Sequence, residues 1–193
     1  MPTVGFDKLF YATITETNEE ETYGTPVQLA KAISADLSVE TTEATLYADD
    51  GAAHVIKEFK SGTISLGVDD IGTDAAAALT GATVDSNKVL ISTGEDSNKP
   101  VAIGFRAKKA DGRYRYIWLY RVLFGIPKAT FATKGESITF TTPTIEGTIM
   151  LRKKTDAGGK HPWKAEVTEG DTGVLPATIS GWYTSVYEPV AGV

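Results

Sequence analysis

The 193-residue chain contains no cysteine, only two histidines and only two methionines. Without cysteine there can be no disulfide framework, no thiolate metal centre and no thiol nucleophile. The two histidines, His54 and His161, stand far apart and show no HxH or HExxH spacing, so a first-row metal site lacks a ligand set. Basic residues are in the minority, 19 against 25 acidic ones, and the formal charge of −6 argues against bulk affinity for nucleic acid or an anionic membrane. No apolar run approaches the roughly 20 residues that a membrane-crossing helix needs. The opening MPTVGFDKLFY has no basic segment followed by an apolar one, so it does not read as a secretory signal. Taken together, these features read as a soluble chain folded in a reducing cytoplasm.

Catalytic patterns are missing as well. There is no GxSxG elbow for a serine nucleophile, and neither GxxxxGK[ST] nor GxGxxG is present for phosphate. The carboxylate pairs Asp49–Asp50 and Asp69–Asp70 are sequence neighbours, which in a strand point to opposite faces and make no acid/base couple. Asp49-Asp50-Gly51 reads better as a turn. The expectation is a protein that is not an enzyme and holds no cofactor or metal.

What is abundant favours β-structure. Threonine occurs 26 times, often alternating with Val, Ile or Leu, and β-branched residues suit a pleated, half-buried surface. An apolar fraction of 41% with 23% charge is enough for one folded domain, taken as residues 1–193. KLFYATIT (Lys8–Thr15) alternates as a strand, followed by an acidic loop in which Glu19, Glu20 and Glu21 cluster before Gly24 and Pro26. Charge runs usually form solvated loops; the sharper reading is a contact surface for a neighbouring subunit. From Ala53 to Ile71 strand character persists beyond the usual ~3–10 residues. Either the strand breaks at Gly62 or it leaves its own domain. One short helix is expected over about Asp74–Thr80, capped by Thr73 or Asp74 and ended by Gly81. The repeated Asp-Ser-Asn at Asp85 and Asp96 reads as two turns, each starting a strand.

The strongest local signal is Asp111-Gly112 between VAIGFRAKKA and RYRYIWLYRVLF, a β-hairpin. Strict alternation puts Tyr114, Tyr116, Trp118, Tyr120, Val122 and Phe124 on one face, and Arg113, Arg115, Ile117, Leu119, Arg121 and Leu123 on the other. Large residues on both faces imply a central, covered strand. ESITFTTP and TIEGTIMLRK supply two more strands, and KKTDAGGKHP (Lys153–Pro162) reads as a flexible connection with a solvated His161. The terminal WYTSVYEPVAGV is too apolar to hang free, and docks on its own domain or a neighbour.

Arginines and lysines interleaved with aromatics over residues 106–121 also fit a small β-barrel that binds single-stranded nucleic acid. Stacking needs cations and aromatics on one exposed face, whereas here most aromatics oppose the arginines. A β-sandwich adhesin or carbohydrate-binding module would need exposed aromatics, and Trp163 and Trp182 are the loosely placed ones.

VGFDKLFYATI, TPVQLAKAISADLSVE, ATLYADDGA, KEFKSGTISLGVDDIG, VAIGFRAKKADGRYRYIWLYRVLFGIP and SITFTTPTIEGTIM follow one another from Val4 to Met150. In that order they resemble the major tail proteins of siphophages infecting Gram-positive bacteria. The resemblance implies a mainly β, tail-tube-type β-sandwich or partial barrel with a short flanking helix. It also implies hexameric rings whose inner strands join a ring-wide β-barrel, stacked around a tape-measure protein and joined to other tail proteins at the tube ends. Such a tube sits in the virion, is assembled in the host cytoplasm, has no membrane anchor, and lets double-stranded DNA pass without specific binding. On that reading the acidic Glu58, Asp69 and Asp70 face the lumen. The expected intersubunit residues are Glu19, Glu20 and Glu21, then Tyr47, Asp49 and Asp50, then Trp182 and Tyr183. They lie on extended loops at about residues 16–26 and 41–53 and on a C-terminal tail at about 175–193, segments that order on assembly.

Overall fold

The alternating apolar residues build long antiparallel strands in a computed structural model that describes residues 2–17, 20–48, 51–128 and 141–190. In chain order these are β1 (Thr3–Thr17), β2 (Glu20–Tyr23), β3 (Val27–Ala30), β4 (Ala32–Ala48) and β5 (Gly51–Val68), then helix α1 (Thr73–Thr80). After it come β6 (Thr83–Val84), β7 (Leu90–Ile91), β8 (Val101–Lys109), β9 (Tyr114–Phe124), β10 (Thr144–Ile149), β11 (Lys164–Thr168) and a five-residue helix α2 (Pro176–Ser180). The mainly β expectation holds, with α2 as a helix that the sequence did not announce.

The main sheet runs β2-β1-β8-β9-β10-β5-β4, with β3 added to β1 and β11 to β9. Lys31 alone separates β3, which lies on β1, from β4, which lies on β5, so the path returns to its start as a partial barrel. Two hydrogen bonds close this seam. The Lys31 N–H donates to the Asp69 carboxylate at 2.8 Å, and the Asp69 N–H donates to the Lys31 carbonyl at 3.1 Å. Inside the barrel lie Leu9, Leu29, Ile64, Leu66, Ile103, Leu119 and Ile145, and α1 adds Ala75 and Leu79 to the same core.

A second apolar layer covers the other side of β8 and β9: Ala12, Ala102, Tyr116, Trp118 and Tyr120 packed under Trp182 and Val186. β9 is therefore covered on both faces, as expected of a central strand. Its faces are not those of strict alternation, however. Ile103 pairs with Leu119 and Val101 with Val122, so Tyr120 and Arg121 together oppose Ala102. This bulge switches the side on which later residues point, and Val122 and Phe124 join the barrel core instead of the tyrosine layer.

Other expectations are corrected by the pairing. Of the two alternatives the sequence left for the long strand, a break at Gly62 does not occur, and β5 runs unbroken through it. The region 41–53 is no loop: up to Ala48 and from Gly51 it is a paired hairpin, with Thr41 opposite Phe59 and Ala48 opposite Gly51. Residues 20–23 of the acidic segment form a strand on β1, with Glu21 opposite Glu16. Gly72, not Thr73 or Asp74, occupies the N-cap of α1 and offers no side chain, while Gly81 ends the helix as expected. Of ESITFTTP, residues 136–140 lie outside the described residues and 141–143 carry no strand.

Close packing in the second layer depends on Gly104 in β8, opposite Trp118. A Cβ there would sit 2.6 Å from the Trp118 ring, inside van der Waals contact with a side chain that is itself fully buried. Gly104→Ala must displace that ring, and overpacking of this kind costs about 1–3 kcal/mol. Urea unfolding should show a lowered midpoint with an unchanged slope; an unaltered midpoint would mean the interior yields where it looks tight.

Candidate assembly surface

β5 is built from two halves with different neighbours. Residues 62–67 pair with β10 on one side and β4 on the other, whereas residues 51–61 pair with β4 alone. The outer halves of β4 and β5 thus leave the barrel as a two-stranded arm, and among the described residues the far edge of β4 has no partner strand. Long free edges recruit other strands. Leu37, Val39, Val55 and Ile56 are 40–57% exposed along this hairpin, and the largely exposed ion pairs Lys57–Glu43 (3.0 Å) and Lys60–Glu40 (3.6 Å) ride on it. Exposed pairs of this type contribute little to stability. Tyr47 lies near the tip, opposite Ala52. Asp49 and Asp50 fall outside the described residues, as does Glu19.

The outward face of β4, β5 and β10 is a carpet of hydroxyls and carboxylates. One row runs Asp36–Ser65–Glu146, and the next runs Ser38–Thr63–Thr148. Beyond them Glu40 stands opposite Ser61 and Thr42 opposite Glu58. A shallow groove of about 620 Å³ crosses the first two rows. Of the three acidic residues expected on a lumen-facing surface, Glu58 lies on this face. Asp69 and Asp70 lie past the end of β5 and serve the backbone: Asp69 accepts the N–H of Lys31 and of Asp70, and Asp70 accepts that of Ile71. Asp36 and Glu146 escaped the sequence reading. The alternation in DLSVET and in TIEGTI carried the signal, because each places its acid and hydroxyls on one side.

The acidic hairpin does not form a solvated loop. Glu21 is fully buried, ion-paired to Arg121, and accepts the backbone N–H of Lys153 (2.8 Å) and Lys154 (3.4 Å). Glu16 bridges Arg121 (2.7 Å) and Lys153. The Lys153 ammonium holds the Glu16 carboxyl below its ordinary range. The hairpin is therefore locked onto β9 and the segment after β10, and Glu21 is no free intersubunit contact; Glu20 remains exposed. The connection at residues 153–162 is tied down rather than flexible. Asp156 accepts the N–H of Gly158 and Lys160, and His161 Nδ1 lies 2.9 Å from the Arg152 carbonyl.

The C-terminal segment docks on its own chain. Trp118 Nε1 donates to the Trp182 carbonyl and Tyr120 Oη to the Tyr187 carbonyl, both at 2.9 Å. Buried Arg152 lies over the Tyr120 ring at 4.8 Å and pairs with Glu188 at 2.9 Å. Trp182 is 2% exposed, and Tyr183 stacks on Phe10 at 4.7 Å. Neither residue is a free assembly contact. This segment also covers Tyr116, Trp118 and Tyr120, so the stacking platform of the nucleic-acid reading lies inside the protein. Arg106 is held by Asp7 at 2.7 and 2.8 Å, and Arg113 by Asp111 and Asp171. The adhesin reading loses its aromatics too, since Trp182 is buried and Trp163 stacks on Phe59 at 5.0 Å.

Two outcomes follow from these side chains. Glu21→Ala strands Arg121, 12% exposed, without its closest counter-charge, and breaking a buried pair costs about 3–5 kcal/mol; a loss under about 1 kcal/mol in chemical unfolding would contradict the lock. The Lys31 N–H lowers the pKa of Asp69. A depressed carboxyl stabilises the fold above its unfolded pKa of about 4 and loses that contribution as pH falls through the folded value. Asp69→Asn keeps an acceptor for the seam and removes the titration. Its stability should approach that of the parent as pH drops below 4, a convergence that thermal unfolding across pH can read.

Neither a family model nor a curated protein matches the chain, so the resemblance to siphophage major tail proteins is without a sequence match. Among solved structures the chain is similar to the anti-feeding prophage cap (AFP tube terminating cap), with 12% identity over 87% of this chain and 92% of that one, at a TM-score of 0.42. It is also similar to a chain of the six-fold symmetrised anti-feeding prophage baseplate, with 8% identity over 86% of this chain and 96% of that one, at a TM-score of 0.38. At these scores the likeness carries no inference about what the chain does.

Proposed function

We propose that the chain is a structural subunit of a phage-type tail tube, whose activity is self-association and not turnover. The observation that carries this reading is the β4–β5 arm, which leaves the barrel with an unpaired edge and with Val55 and Ile56 uncovered. A strand edge finds its missing partners on another strand, and a contact between different patches of successive copies closes rings. The resemblance of the sequence segments to major tail proteins supplies the ring of six, the virion location, assembly in the host cytoplasm, and the tape-measure and tube-end proteins as partners. In such a ring the acid-and-hydroxyl face of β4, β5 and β10 turns to the lumen. Asp36 and Glu58 repel phosphate there, Glu146 being ion-paired to Lys128 at 3.1 Å, and among the described residues no aromatic ring lines the groove to stack on a base. Double-stranded DNA then passes without being held.

Negative-stain microscopy of the concentrated protein tests the reading: rings or tubes are expected. Ile56→Asp places a charge on the arm at an exposed position. It should leave the unfolding midpoint within about 0.5 kcal/mol of the parent while abolishing the assemblies. A parent chain that stays a single small particle at every concentration reached would end the proposal.

A further inference from the structure

We infer that the arm is a lever whose angle to the barrel is set by one aromatic latch, Phe59 on Trp163. Up to Gly62, β5 is wedged into the sheet: it pairs on both sides, and a Cβ at that position would meet the Ser38 carbonyl at 3.1 Å and the Ile149 side chain at 3.2 Å. Immediately beyond, the β4–β5 ladder slips between Glu40 and Thr41 and leaves Lys60 unpaired as a bulge. A bulge is where a two-stranded ribbon bends and twists. Rigid sheet thus gives way to a bendable joint within about two residues.

The inward-facing side chain after that joint is Phe59. Its ring lies against Trp163, centroids 5.0 Å apart and planes 15° apart. Trp163 belongs to the body, because its carbonyl accepts the Tyr120 N–H at 3.0 Å and both rings pack against the barrel core. Farther out on the same face, Lys57 pairs with Glu43, its partner across the arm, and Val55 is half exposed. Among the described residues one stacked pair therefore ties the arm down. Such a pair weights the docked orientation by about two- to tenfold over a free one. That is enough to hold a preferred angle, and weak enough for a stronger contact to release.

The absence of cysteine permits a direct test on the full chain. Nitroxides attached through Thr42→Cys on the arm and Thr172→Cys on the body report the distance between them by pulsed dipolar spectroscopy, with the size-exclusion monomer as sample. The parent should give one narrow distance distribution. Phe59→Leu, which keeps bulk without a ring, and Trp163→Ala should each broaden it by about twofold or more, and Phe59→Tyr should restore it. Unfolding midpoints check that every variant is folded. A distribution as narrow in Phe59→Leu and Trp163→Ala as in the parent would overturn the latch, and so would a parent distribution that is already broad. Because the measurement is made on single copies, failure of the latch is distinct from failure of tube assembly.

Discussion

Each residue of a β-strand carries backbone donors and acceptors directed to both sides, and β4 has a neighbour on one side only. Along most of the main path the barrel satisfies this demand by curling until β3, on β1, runs into β4, on β5; the short β2 at the other end also pairs on one side only. The closure ends at Lys31 and Asp69, because past that seam the first eight residues of β4 still face β5 within the barrel while the rest accompany it outward. The arm is the part of the sheet for which closure has no solution within one copy. An edge of that length normally carries bulges, charges or a cover. Here the described residues carry two exposed ion pairs, Glu58, and ladder slips at the root and near the tip, with apolar side chains between them. Protection is partial, which is the state expected of an edge that waits for a partner and must not find a wrong one.

The body, by contrast, is closed several times over. Three devices act at different places: the Glu21–Arg121 lock on the acidic hairpin, the Arg152–Glu188 pair on the C-terminal segment, and the tyrosine–tryptophan layer between them. Each joins segments more than 30 residues apart, so each costs chain entropy to form and is lost together with the others. Division of labour follows. The barrel supplies rigidity, and the arm and the outward face of β4, β5 and β10 supply the surfaces that remain free.

Much of this was legible where the code is local. The hairpin at Asp111-Gly112, the helix ending at Gly81 and the overlong strand through Gly62 all depend on residues close in sequence. What was not legible depends on distant partners. Glu21 sits in a run of glutamates that reads as solvated, and nothing near it in sequence reveals that Arg121 and the amides of Lys153 and Lys154 will surround it. Trp182 and Tyr183 read as an apolar tail in search of a surface; that the surface is the chain's own β9 follows only once Trp118 and Tyr120 present their polar atoms to it. The bulge at Tyr120–Arg121 is a third case. Alternation is a rule of period two, and one extra residue reverses it without any marker in composition.

The same bulge bears on the candidate assembly surface. Without it Val122 and Phe124 would continue the tyrosine layer, and Leu123, which now borders the groove, would turn into the barrel. The inserted residue thus brings two apolar side chains to bear on Ile149 and Gly147 of β10, where the absent Cβ of Gly147 leaves room for both Val122 and Phe124. That packing seats β10 against β5, and β10 contributes Glu146 and Thr148 to the acid-and-hydroxyl face. An irregularity in a strand covered on both faces thereby sets the position of a polar surface.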